Sequence, residues 1–194
     1  LGIAGNFSGG LKQYDQGGGS AKRIFSAVAA SGGIQAAQLA QAGITGPEGI
    51  LEGAHGLLRV YGSAYRLERL SADLGKLWTM ERVLFKPYCC CAVIHPAIDG
   101  LKKLIAAWSL TVNDIVKIEV CYGKGYVDHA RIATPHDLLE MQFSTSFSLA
   151  LALLRGRNTP GEYTMEAMND PKVRAAASRV HVQEEAQLGE QFQG

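Results

Sequence analysis

Residues 21–43 read AKRIFSAVAASGGIQAAQLAQAG, and no other stretch constrains the fold as strongly. Ile24, Ala27, Val28, Ile34, Ala37 and Leu39 recur at roughly helical spacing, with Gly32 and Gly33 interrupting the pattern. Most of the other positions are Ala, Gly or Ser. So many small residues predict helices packed close together, with Gly43 as the C-terminal stop. The neighbouring segments extend this reading. Residues 1–11 are apolar and rich in Gly and Ala, and suit a tightly packed helix or the end of one. GGGS at 17–20 is a flexible turn. Thr45 and Pro47 offer a cap and an early helical proline for a helix over TGPEGILEG. Residues 57–77 are mixed and partly helical in pattern.

The character changes near Trp78. ERVLFKPYCCC is β-prone, although Pro87 limits how far a strand can run. His95-Pro96 opens an amphipathic helix, with Ile98, Leu101, Ile105 and Trp108 on one face and Lys102 and Lys103 off it. Val116, Ile118 and Val120 alternate with Lys117, Glu119 and Cys121, the mark of a strand with one buried face. Residues 136–155 read as one buried helix ending at Gly156. TMEAMNDPKVRAAASRV reads as one helix or two short ones, VHVQEE as a last strand, and QLGEQFQG as a disordered, vector-like or truncated tail. The expected fold class is mainly α with an α+β part, divided into residues 1–77 and 78–194.

Bulk properties exclude several classes. Nineteen basic and eighteen acidic residues among 194 leave a net charge of +1, so nothing global attracts nucleic acid or a membrane surface. No apolar run reaches the ~18–20 residues of a membrane span, and no signal peptide is visible. Four cysteines, three of them adjacent, do not resemble a disulfide framework, which favours a reducing, cytoplasmic setting. The chain opens at Leu1, in what reads as the middle of an apolar helix, so a piece of a longer protein is expected.

The three cysteines, 89–91, lack a second Cys/His pair at metal-binding spacing and form no C-x-x-C motif. On an extended chain Cys89 and Cys91 share a side and Cys90 takes the other. Packing is their expected role, with no metal. Lys86 and His95 carry more chemistry. His95 is placed at the N-cap of the helix at Pro96, where free N–H groups and the helix dipole favour an anion. Lys86 on the preceding strand would add a point charge, and His95 can move a proton at neutral pH. The plainer alternative is a surface lysine and a capping histidine. Lys22 and Arg23 likewise put charge in a first helical turn, which an anion would relieve, or else they are simply solvated. The segment is no P-loop, because Lys22 is not followed by Ser or Thr. His55, His129, His136 and His181 have no ligand spacing, and Tyr126 in GKGYVDH is either a site tyrosine or a loop aromatic.

Three blocks together carry a resemblance: KRIFSAVAASGGIQAAQLAQAGITGPEGILEG, KPYCCCAVIHPAID and FSTSFSLALALLRG. They resemble, in order and rough spacing, the MmgE/PrpD family, which includes 2-methylcitrate dehydratases, cis-aconitate decarboxylases and iminodisuccinate epimerases. The resemblance implies an all-helical domain, whose C-terminal part is present here, followed by a smaller α+β lid, with the active site between them and usually a homodimer. It implies proton chemistry beside carboxylates without metal or organic cofactor. Lys22, Lys86 and His95 take the family's lysines and histidine as catalytic residues. Tyr126 is carried over as a substrate-binding tyrosine, and Arg23, next to Lys22, is assigned to substrate binding from its first-turn charge. Two departures stand out. Phe25 replaces a histidine that many members carry three residues after the first lysine. Family members are also more than twice this length, and their N-terminal segment supplies an aspartate and histidines.

The expected function is therefore part of a lyase acting on a small di- or tricarboxylate, inactive on its own. Dehydration of the 2-methylcitrate type is favoured over decarboxylation. An epimerase of the same architecture and a non-catalytic carboxylate-binding module are the alternatives.

Overall fold

The computed structural model of the chain describes residues 1–11, 13–14, 19–62, 64–127 and 130–190. It divides into two compact units, one built from Leu1–Tyr14 with Ser20–Leu84 and the other running from Phe85 onward. The architecture is mainly helical with a small β part, as the sequence patterns predict. Among the described residues no helix is long and apolar enough to cross a membrane.

The first unit holds α1 (Gly2–Gly5), α2 (Phe25–Gln41) and α3 (Leu57–Tyr61), joined by turns and 3-10 segments. α2 runs straight through Gly32 and Gly33. Gly32 is a packing position: a Cβ there would stand 3.0 Å from the Phe7 Cβ, so the missing side chain lets α2 meet the segment after α1. Gly43, at φ +90°, ends the helix in the left-handed conformation expected of a C-terminal glycine. The helix expected over TGPEGILEG does not form, and residues 48–55 are turns and a bend. Gly46 lies against the backbone of Gly2 and Ile3, where a Cβ would collide. That close approach, with Gly49 and Gly53 adding the high backbone entropy of glycine, outweighs the favourable Thr-x-Pro start. Only Gly2–Gly5 of residues 1–11 is helical. The GGGS turn lies partly outside the described residues.

The second unit begins with extended chain and bends. No strand forms over ERVLFKPYCCC: Glu81 and Arg82 end a 3-10 turn, Pro87 lacks an N–H, and among the described residues no strand pairs with the segment. A 3-10 turn, Ala92–Ile94, leads into α4 (His95–Trp108). Then follow β1 (Ile118–Tyr122), α5 (Leu138–Phe143), α6 (Thr145–Arg155), α7 (Met165–Asn169), α8 (Pro171–Ala177), β2 (Val180–Glu184) and α9 (Ala186–Glu190). β1 and β2 pair in parallel, with Ile118 opposite Val180 and Tyr122 opposite Glu184. A parallel pair needs a crossover, and α5 to α8 provide it. Val116 lies before β1 and is 85% exposed, outside the predicted buried face.

α6 is the centre of this unit, in contact with α4, α5, α8 and β2. Every residue from Thr145 to Ala152 is buried. The predicted single helix over 136–155 is interrupted at Ser144, which is extended and bridges to Arg131. Its hydroxyl accepts the Phe147 N–H at 3.2 Å, so the serine that breaks one helix caps the next. Gly156, at φ +70°, closes α6 as predicted. In α4, Ile98 and Leu101 are buried and Ile105 half-buried, but Trp108 is largely exposed beyond the edge of the core.

Candidate functional site

Residues 86–91 are fixed by amides that find no strand partner and bond elsewhere. The Cys89 N–H donates to Asn158 O and the Cys91 N–H to Gln142 O, both at 2.8 Å. Cys90 is buried, while Cys89 and Cys91 are half-buried, which keeps the alternation expected of extended chain. Burial pushes the Cys90 thiol up to about 11, so it stays protonated at neutral pH and is a weak nucleophile and ligand. Among the described residues no three His, Cys, Asp or Glu side chains converge as a metal site would require.

The Cys90 carbonyl is where the two predicted site residues meet. The exposed Lys86 ammonium donates to it at 3.4 Å, and His95 Nε2 stands 3.4 Å from the same oxygen. A carbonyl only accepts, so this contact selects the Nε2–H tautomer and leaves Nδ1 as the basic nitrogen.

His95 is the first residue of α4, and the expected N-cap role falls to Ile94, whose side chain makes no cap bond. The 3-10 turn ahead of α4 uses the Ile94 and His95 N–H groups, and Pro96 has none. The helix end therefore offers fewer free amides than the sequence pattern suggests, and side chains must carry any anion binding.

Three further side chains surround this pair. The Tyr88 ring meets the His95 imidazole edge-on, at 5.3 Å and 84°. Its hydroxyl donates to Asp99 Oδ1 at 2.5 Å, and Lys102 Nζ lies 4.7 Å from the ring centroid. The bond to the Asp99 carboxylate, followed by partial burial, pushes the Tyr88 phenol up to about 12. His95, Asp99 and Lys102 are spaced i, i+4, i+7 on α4, one face of the helix. This spacing was readable in the sequence. Only the structure shows that Tyr88 reaches it. Lys86 and Lys102 against one Asp99 give the patch a positive balance suited to an anionic group.

The remaining predicted residues are Tyr126, Lys22 and Arg23. Tyr126, 48% exposed, borders an apolar cavity of about 470 Å³ with Val93, Pro96, Ala97, Val120 and Tyr122, and the lining includes neither Lys86 nor His95. Lys22 and Arg23 belong to the first unit. They sit in the 3-10 turn Ala21–Ile24, one turn ahead of the α-helix in which they were expected. Lys22 Nζ lies 5.0 Å from the Tyr14 ring centroid, and Tyr14 meets Phe25 edge-on at 5.7 Å. Phe25 lines a cavity of about 300 Å³ with Phe7, Val28 and Gly32. His129 lies outside the described residues.

A helical protein with an α+β unit, carrying a lysine–histidine pair held on one backbone carbonyl, is the class that fold and site define. Comparison with known families gives it a lineage. The MmgE/PrpD N-terminal domain matches residues 1–70 and the MmgE/PrpD C-terminal domain matches residues 88–194. The chain belongs to the MmgE/PrpD family. It is similar to a cis-aconitate decarboxylase of Aspergillus terreus (strain NIH 2624 / FGSC A1156), 32% identical over 111 residues, which are 54% of this chain and 22% of that protein. A second cis-aconitate decarboxylase from Aspergillus terreus is 31% identical over 120 residues, 58% of this chain and 24% of the relative. The matched stretch thus spans less than a quarter of either relative.

Proposed function

We propose that the chain contributes to a lyase of the MmgE/PrpD type that acts on a small di- or tricarboxylate. The observation that carries this reading is the convergence of Lys86 and His95 on the Cys90 carbonyl, beside Lys102. In this reading the lysines hold substrate carboxylate oxygens and His95 exchanges a proton with the adjacent carbon. Dehydration would remove a C–H proton as a hydroxyl leaves with a proton as water. Decarboxylation would break the carbon–carboxylate bond and return a proton to the carbon. The names of both fungal relatives favour the second outcome as much as family breadth favours the first. Lys22 is proposed as a further catalytic residue and Arg23 and Tyr126 as substrate-binding ones, and a second copy of the protein is the proposed partner. Phe25, which cannot move a proton, favours a carboxylate-binding module as the rival reading.

The test uses this chain alongside the product of the longest open reading frame that contains it. Each is incubated with methylcitrate, citrate and cis-aconitate, and water loss, CO₂ loss and solvent-proton exchange are followed by NMR. Turnover in the longer form that falls at least about a hundredfold in both Lys86→Ala and His95→Ala supports the lyase. Turnover unaffected by both substitutions would overturn the site. Carboxylate binding without turnover in either form would favour the binding module.

A further inference from the structure

Behind the site lies a buried polar network that the proposed chemistry does not use directly. Cys90, Ser148, Asn158 and Tyr163 are all at most 5% exposed. The Tyr163 hydroxyl donates to Ser148 Oγ at 3.0 Å. Asn158 Nδ2 donates to the Tyr163 hydroxyl at 3.2 Å and to Ser148 O at 2.8 Å. The buried Cys90 thiol shares the core cluster with Tyr163, and the Tyr163 and Ser148 hydroxyls partly offset the upward effect of burial on it. Asn158 Oδ1 is buried without a partner. Polar groups placed among Leu149, Leu151 and Ala167 cost stability relative to an apolar core of the same shape, so packing alone does not explain them.

Their geometric effect falls on one peptide group. The Cys90 C=O and the Cys91 N–H belong to the same planar trans unit and point in opposite directions. The N–H donates to Gln142 O, which aims the C=O away from Gln142 and toward Lys86 and His95. One residue earlier, the Cys89 N–H is held by Asn158 O. Between these two clamps the buried Cys90 side chain packs in the same cluster as Tyr163.

We propose that Tyr163, Ser148 and Asn158 are positioning residues, which lock the Cys90 peptide so that its carbonyl aligns the Lys86 ammonium and the His95 imidazole. What the aligned pair accomplishes rests on the lyase reading. The alignment itself is a property of this chain and can be measured without turnover.

The experiment compares ¹⁵N spectra of the His95 imidazole in the full chain and in Tyr163→Phe, Cys90→Ala and Cys90→Ser, with thermal melting of each. Tyr163→Phe removes one hydroxyl, and Cys90→Ala removes the thiol packed in the same cluster. Both are expected to shift the Nε2 signal as its bond to the carbonyl loosens. Cys90→Ser, nearly the same size and still able to bond, is expected to stay close to the parent. It also keeps the test decisive if Tyr163→Phe does not fold. Lower melting temperatures with a superimposable His95 signal in Cys90→Ala would overturn the proposal, as would equal shifts in Cys90→Ser and Cys90→Ala. In a form that turns over substrate, Tyr163→Phe should lower kcat about ten- to a hundredfold with KM within about twofold. Shifted His95 signals with no turnover in any form would uphold the positioning role and remove the lyase reading instead.

Discussion

α2 and α6 are both built from small and apolar residues, yet one is sheathed and the other is bare. In α6 the whole run from Thr145 to Ala152 is buried. In α2 only Gly32 and Ala36 are, while Ile24 just ahead of it and Val28, Ile34 and Leu39 within it are exposed. The contrast extends to the units that contain them. Among the described residues, Ala36 is the sole buried hydrophobic side chain of the first unit, and every other lies in the second. Similar local sequence therefore produces a helix in both places but a core in only one. Helix formation follows from residue spacing, whereas a core requires surfaces that come from elsewhere in the chain. An apolar helix left this open is suited to burial against further protein.

The largest effect that could break this contrast comes from trimming side chains. Leu149→Ala in α6 should cost about 2–5 kcal/mol in urea unfolding, as deletions in close-packed cores do. Leu39→Ala in α2 should stay within about 0.5 kcal/mol. Comparable losses at the two positions would mean that α2 is covered in solution.

A second, smaller effect is alkaline sensitivity in the second unit. Burial raises Cys90 from 9.0 to about 11 and Tyr122 from 10.0 to about 12. The folded state thus keeps protons that the unfolded chain releases. Stability from these groups is complete below the unfolded values and is lost as pH rises. The expected windows are pH 9 to 11 for Cys90 and 10 to 12 for Tyr122. The steepest loss is ~1.4 kcal/mol per pH unit for each group. Urea midpoints that remain level from pH 8 to 12 would count against the burial of both residues. Cys90→Ala should remove the earlier part of the decline.

Glycine substitutions sharpen the comparison at the scale of single turns. Gly33, in α2, has open space where a Cβ would go, so Gly33→Ala should raise helicity and stabilise α2 by up to ~1 kcal/mol. Gly156 has equal space but sits at φ +70°, so Gly156→Ala should cost ~1–2 kcal/mol in thermal or chemical melts. A gain at Gly156 would contradict its left-handed conformation.

The parts of the fold that the sequence disclosed are those with a clean period or a strong stop. α4, β1, β2 and the closure at Gly156 all belong here, since their spacing alone separates a buried face from an open one. The failures share a different cause. Gly46 keeps a helix from forming by touching the backbone of residues far away in sequence, and Ser144 breaks one inside a segment that reads as a single buried helix. ERVLFKPYCCC has strand-forming residues, but the groups that bond its amides come from Gln142 and Asn158. The candidate site divides the same way. Lys86 and His95 stood out by residue type and position. Asp99 and Lys102 could be read from helical spacing, but nothing local marked Tyr88 as their partner. Asn158 and Tyr163 had no local signal, because their significance depends on packing behind a segment more than fifty residues upstream.

The parallel pairing of β1 with β2 also governs the order of assembly. Cys121 and Gln183, opposite each other in the pair, are 62 residues apart. Closing so long a loop is entropically unfavourable until the intervening helices have collapsed, so the strands must meet late. During synthesis, β1 emerges well before its partner and waits with its ladder groups unpaired. The ribosome must release β2 before the second unit can close, so a stall anywhere in that interval leaves an open strand edge available to other chains.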